Sequence, residues 1–178
     1  MGDRALDLLV GENFRSRLYW DLNPCQRGSM GNNCYAAASA FFAWLSMGRR
    51  IPAVCIELNQ GLVLNPDRWR QTTLPQLMRI VLRGGHGSQV IVQGIRPPRS
   101  RFTADHAFNL VNIDFPNGIS RPNSGSVHLV DAYTNVLIPN MPNPSFERSR
   151  LEIEAYLQHN QIVRLGYRTD NYLVRVAP

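Results

Sequence analysis

Not one of the 178 residues is lysine: the 19 basic residues are all arginine, against 13 acidic residues, for a net charge of +6. Arginine is the better bidentate partner for carboxylate or phosphate. The missing lysine has two accounts. A GC-rich genome favours arginine codons, and a bacterial protein working inside a eukaryotic cell lasts longer without ubiquitin acceptors. Long apolar runs are also missing. The longest, Ala36 to Leu45, is interrupted by Ser39 and falls well short of the ~18 residues that a spanning helix needs, so no membrane span is expected. The opening MGDRALDLLV carries acids and no small-residue cleavage site, and does not read as a secretory signal. Leu6, where a myristoylation site has Ser or Thr, argues against lipidation at Gly2.

Cysteine is scarce. Cys25, Cys34 and Cys55 are an odd number at unlike spacings, so they form neither a disulfide framework nor a C-x-x-C metal site, and at least one thiol is free. His86, His106, His128 and His159 lack the i, i+4 pairing of a zinc helix. No metal and no cofactor is expected. The arginines are scattered, with no helix or aromatic platform to carry them, which argues against nucleic-acid binding. No repeat and no long linker is visible, so the reading is one domain over residues 1–178. At 44% hydrophobic and 18% charged residues the composition is that of an ordinary globular chain, long enough to fold without staples.

The pattern predicts a short helical segment around Arg4 to Val10, then a loop over Asn23 to Asn33 marked by Pro24, Gly28, Gly31 and two adjacent asparagines. From Cys34 the apolar positions Ala38, Phe41, Phe42 and Leu45 recur at helical spacing, and Gly48 closes the helix. A strand is expected over Ala53 to Leu58, and a helix over Thr72 to Arg83 with a Thr cap, Pro75 in its first turn and Gly84-Gly85 at its end. Strands follow at Gln89 to Ile95, His106 to Phe115 and Ser126 to Ala132, as a meander. A helix over Phe146 to His159, capped by Ser145, precedes strand-like segments at Gln161 to Tyr167 and Tyr172 to Val176. Helices first and antiparallel sheet afterwards make the fold class α+β.

Cys34 falls in the first turn of its helix, directly after Asn33, a favoured N-cap residue. A helix N-terminus stabilises a thiolate and offers N–H donors to an oxyanion; a small cysteine packed like alanine fits the same position. A thiolate nucleophile works with a histidine. His106 is the best placed, opening a strand whose face it shares with Phe108 and Leu110, where its ring is expected to project at the sheet edge. A strand-capping histidine is the alternative. Asp131, at the end of the neighbouring strand, suits the role of fixing the imidazole tautomer, or that of a turn former. His86 and His128 compete with His106, and Arg96, Arg99 and Arg101 around Pro97-Pro98 form a solvated loop, a lid or a docking patch for an acidic partner.

Taken together, GNNCYAAASAFFAWLSMG, DHAFNLVNID and HLVDAYTN resemble the papain-fold toxin domain of polymorphic and secreted bacterial toxins. Asn23-Pro24, Asn33-Cys34, Asp105 to Asn109 and Val130 to Asn135 stand where that family has its Asn-Pro opening, its Asn-Cys helix start, its His-Ala-Phe-Asn strand and its Asp-x-x-Thr strand end. The resemblance covers roughly residues 22 to 136. Cys25 after the Asn-Pro, Ala132 after the Asp and Asn135 in place of a glycine depart from the pattern. The resemblance implies a papain-like fold and a Cys34, His106, Asp131 site that deamidates glutamine on a target protein without a cofactor. Oxyanion donors are the Cys34 backbone N–H and an amide side chain, Gln26 or Asn33. It also implies a protein secreted or injected by a bacterium, acting in the target-cell cytoplasm, with an immunity protein or secretion chaperone as further partner. A cysteine peptidase or transglutaminase shares the chemistry; a binding module that has kept only the shape is the non-enzymatic alternative.

Overall fold

The computed structural model describes residues 3–10, 12–25, 33–54, 69–100, 105–118 and 121–168. In chain order its elements are α1 (Arg4–Asp7), α2 (Glu12–Leu22), α3 (Cys34–Met47), β1 (Trp69–Thr72), α4 (Leu74–Arg83), β2 (Gln89–Ile95), β3 (His106–Ile113), β4 (Ser126–Asp131), β5 (Val136–Ile138), α5 (Phe146–His159) and β6 (Arg164–Arg168). The strands form one antiparallel sheet in the order β1-β6-β2-β3-β4-β5. The class is α+β. The expected meander is present as β2-β3-β4 and runs on into β5, but β6 returns from the far end of the chain and inserts between β1 and β2. Along the chain α1 to α3 come first and β2 to β5 run consecutively, with β1 before α4 and β6 after α5 as the departures from helices first and sheet afterwards.

All eight residues of β3 are buried, the pattern of a central strand covered on both faces. Alternating side chains feed two layers. Phe108 and Leu110 meet α4 and α5 through Leu77, Met78, Val81 and Ile153, whereas Val111 and Ile113 meet Phe41, Trp44 and Leu45 of α3 together with Leu18 and Leu22 of α2. α3 is apolar almost all round because it lies between the sheet and the N-terminal helices. Gly48 ends it at φ 69°, the left-handed turn that glycine adopts without Cβ strain. α4 opens with Gln76 Oε1 accepting the Thr73 N–H at 3.1 Å, half of a capping box, and Ser145 Oγ caps α5 by accepting the Arg148 N–H at 3.1 Å.

Several expectations need correction. Ala53 and Val54 are irregular rather than strand; the rest of that segment, Cys55 to Leu58, and the segment Tyr172 to Val176 lie outside the described residues. α2, β1 and β5 were not anticipated. Thr72 belongs to β1 instead of α4. Cys25 is disulfide-bonded, where the cysteine spacing points to no disulfide framework, while Cys34 is free. Among the described residues no helix is long and apolar enough to cross a membrane, and no cluster of His, Cys, Asp or Glu could hold a metal ion.

Candidate active site

Three elements converge at one end of the sheet. Cys34 is the first residue of α3, with Asn33 at the N-cap position. His106 opens β3 and Asp131 closes β4. The β3–β4 register pairs Asn109 with Val130; one step further, Asp131 lies beside Phe108. In a strand, residues two apart share a face, so His106 and Asp131 become diagonal neighbours within side-chain reach. Their contact follows from register alone.

The geometry is close. Asp131 Oδ2 lies 2.8 Å from His106 Nε2, and the Cys34 side chain hydrogen-bonds the His106 side chain. With Nε2 turned to the carboxylate, Nδ1 is the ring nitrogen left for the sulfur. The thiol also donates to the Asp105 carbonyl at 3.8 Å. Cys34, His106 and Asp131 are 1%, 4% and 0% exposed. His106 therefore does not project at a sheet edge as expected; it sits at the end of a central strand, covered by α5 and by the Tyr133 ring, 5.9 Å away between centroids.

Burial drives the electrostatics. It opposes protonation of His106, but hydrogen bonds and charge from Asp131 and Cys34 outweigh it and raise the ring to about 9, so the imidazolium persists at neutral pH. Burial likewise opposes charge on Asp131, yet donors from His106, Thr134 and Tyr156 hold the carboxyl below its ordinary range. Tyr156 OH donates to Asp131 Oδ2 at 2.6 Å and lies 3.1 Å from His106 Nε2. Thr134 Oγ1 donates to the same oxygen. The backbone N–H groups of Tyr133 and Thr134 donate to Oδ1 at 2.8 and 3.3 Å. Burial and the adjacent Asp131 push the Tyr156 hydroxyl up, keeping it a donor.

The other candidates go elsewhere. Asn33 makes no side-chain cap; its Nδ2 donates to Asn23 Oδ1 at 2.8 Å and to the Val54 carbonyl at 3.3 Å. Both of its hydrogens are thus committed, and in this arrangement it offers no donor to a site oxygen. Gln26 and Arg101 lie outside the described residues. His86 bridges Asp3 at 2.9 Å and accepts the Asp114 N–H at 2.8 Å, tying α1 to the end of β3. His128 is buried with Nδ1 2.8 Å from the Pro139 carbonyl, and burial lowers it to about 4. Arg99 is exposed. Arg96 is not a solvated loop residue: its backbone N–H donates to Asp105 Oδ1 at 3.0 Å, its Nε donates to the Asn160 carbonyl at 2.9 Å, and its charge acts on Cys34, Tyr156, Asp105 and Asp131.

Sequence reasoning missed Tyr156. It sits in the last turn of α5, beyond the region that the toxin-domain motifs span, and its only sequence signal is an aromatic on the buried side of an amphipathic helix, which reads as core. Thr134 was visible only within the Asp-x-x-Thr pattern, whose physical meaning is now plain: the threonine returns a hydroxyl to the aspartate.

No family model matches this chain, and no curated protein matches it. Solved structures similar to it include two variants of the Salmonella effector SpvD. One is 10% identical, with a TM-score of 0.48 over 90% of this chain and 78% of that one. The other is 12% identical, with a TM-score of 0.43 over 90% and 79%.

Proposed function

We propose that the protein is a papain-like cysteine hydrolase, a bacterial toxin or effector that deamidates a glutamine side chain of a target protein. The observation that carries this reading is the continuous contact from Cys34 at a helix start, through His106, to the buried Asp131. A cysteine that merely filled space would need no imidazolium beside it and no carboxylate held by five donors behind that. The Cys34 sulfur, as thiolate, attacks the side-chain carboxamide carbon of the target glutamine. The resulting oxyanion is met by the Cys34 backbone N–H at the helix start, with Gln26 as the remaining side-chain candidate. Collapse breaks the C–N bond, His106 gives its proton to departing ammonia, and a thioester remains. Water then loses a proton to His106, attacks the thioester and releases glutamate and the sulfur. Asp131 keeps the imidazole oriented and stabilises its charged form.

Deamidation is preferred over peptide cleavage on two grounds. Departing ammonia needs one proton and no room for a chain on the leaving side, whereas a peptidase holds extended backbone on both sides of the bond. Cys34 and His106 are also almost fully buried, a depth suited to a slender glutamine side chain. Delivery by secretion or injection, action in the target-cell cytoplasm, and an immunity protein or secretion chaperone as further partner belong to the same proposal. Tandem mass spectrometry of lysate proteins exposed to the wild-type protein and to Cys34→Ala tests it. Gln-to-Glu conversion confined to the wild type is expected. New termini would make it a peptidase, a cross-linked amine a transglutaminase, and identical lysates would overturn the enzyme reading.

A further inference from the structure

The helix that carries Cys34 is held to the sheet by more than apolar contact. Along α3, residues 34, 38, 42 and 46 form one stripe at four-residue spacing, and each is met by a polar group from the strands or their ends. The Cys34 thiol reaches the Asp105 carbonyl at 3.8 Å. Asn109 Nδ2 donates to the Ala38 carbonyl at 3.2 Å. Gln89 Nε2 donates to the Phe42 carbonyl at 2.9 Å and to Ser46 Oγ at 2.8 Å. Gln89 pairs with Val111 across β2 and β3, one same-face step beyond Asn109. From Ala38 to Phe42 the two lattices nearly match: four residues of helix rise about 6 Å and the two strand residues from Asn109 to Val111, the partner of Gln89, about 6.8 Å, so one turn of α3 meets one same-face step of the sheet.

These amides sit in a place where apolar residues would be the default. Asn109 and Gln89 are fully buried between α3 and the sheet, alongside Ile91, Ala107, Val111 and Phe41. Asn109 Oδ1 finds no partner among the described residues, an unfavourable state for a buried acceptor. Apolar packing alone tolerates a helix sliding or rotating by a fraction of a turn, because dispersion contacts have little direction; hydrogen bonds to fixed carbonyls do not. We propose that Asn109 and Gln89 are positioning residues that lock the rotation and rise of α3 on the sheet, so that Cys34 is delivered to His106. The assignment rests on the cysteine-hydrolase reading of that pair. It also accounts for the last residue of the His-Ala-Phe-Asn segment, since one strand carries the base and, three positions later, the amide that sets the nucleophile's helix against it.

NMR titration of the His106 imidazole reads this without a substrate. The groups facing that ring are Asp131, Tyr156 and Cys34, with the Tyr133 ring against it and the Arg96 charge acting on the same cluster. Neither Asn109 nor Gln89 touches it. In the wild type the ring should titrate near the high value that Asp131 and Cys34 impose. In Asn109→Leu, with the same branched skeleton but without the donor, and in Gln89→Leu, the titration should fall by about one pH unit or more as the sulfur loses its place, and alkylation of Cys34 should slow several-fold. Ile153→Val, a core change on the opposite face, should lower stability and leave the titration where it was. Wild-type titration in a folded Asn109→Leu or Gln89→Leu protein would overturn the positioning role. An ordinary titration near 6.5 in the wild type would instead overturn the Cys34–His106 pairing itself. If Asn109→Leu does not fold, Gln89→Leu, one strand away from β3, carries the test.

Discussion

Asp131→Asn is the substitution for which the structure yields a worked magnitude. Asp131 accepts from five donors: His106 Nε2, Tyr156 OH, Thr134 Oγ1 and the N–H groups of Tyr133 and Thr134. An amide has one accepting oxygen, so its NH2 must face donors on one side, and each buried group left unmatched costs about 1–3 kcal/mol. The charge adds to this. His106 is raised from 6.5 to about 9, which corresponds to an upper bound on the order of 3 kcal/mol, shared between Asp131 and Cys34. Because the folded value lies above the unfolded one, this stabilisation is fully present below about pH 6.5 and is lost as pH rises through about 9. Urea unfolding at about pH 6 and about pH 9.5 separates the two contributions. The wild type should lose about 2 kcal/mol more across that window than Asp131→Asn, and the variant should be the less stable protein throughout. Activity should fall by about 10⁴, as where the same swap has been made in other triads. Equal pH slopes in the two proteins would refute the claim that His106 is held protonated by a buried carboxylate.

Tyr156→Phe removes the donor 2.6 Å from Asp131 Oδ2 and should cost about 1–3 kcal/mol in thermal or urea unfolding, with a rate loss of roughly tenfold at unchanged KM; unchanged stability would mean that the four remaining donors satisfy the carboxylate. Gly94 pairs with His106 across β2 and β3, and a Cβ there would lie 2.6 Å from Ile162 Cδ1. Gly94→Ala should therefore destabilise by about 1–3 kcal/mol through overpacking, read as a fall of about 2–4 °C in Tm per kcal/mol, and an unchanged Tm would show that Ile162 yields. Arg99 and Arg148 are exposed, and changing both to Lys should shorten the half-life of the protein expressed in eukaryotic cells. Unaltered turnover would favour genome composition as the reason for the missing lysine.

The elements legible in the sequence are those fixed by local chemistry. The boundaries of β2 and α5 match expectation residue for residue, because a Val/Ile run after a glycine turn and a Ser cap before a helical period are strong local signals. β1 and β5, four and three residues long, carry too little pattern; their partners, β6 and β4, define them. The insertion of β6 beside β2 is a tertiary choice that no window reveals. At the site, Cys34, His106 and Asp131 were legible because strand register and helix start bring them together from short motifs. Tyr156 was not, since only the packing of α5 over Phe108, with ring centroids 6.1 Å apart, turns a core aromatic into a donor for Asp131. What the sequence does not reveal about Asn33 is where its amide goes: a buried amide takes the nearest fixed acceptors, here Asn23 and Val54, rather than remain unpaired.

The central claim is that Cys34 is the nucleophile, and ammonia release from a purified target carrying the modified glutamine tests it most directly. Circular dichroism and Tm should show Cys34→Ala folded, since the position supplies a reactive atom at the end of α3 more than core volume, and its ammonia release should fall by at least about 10³. Cys25→Ser, which removes a disulfide-bonded cysteine outside the site, should keep most of the rate. Wild-type ammonia release by a folded Cys34→Ala protein would contradict the account.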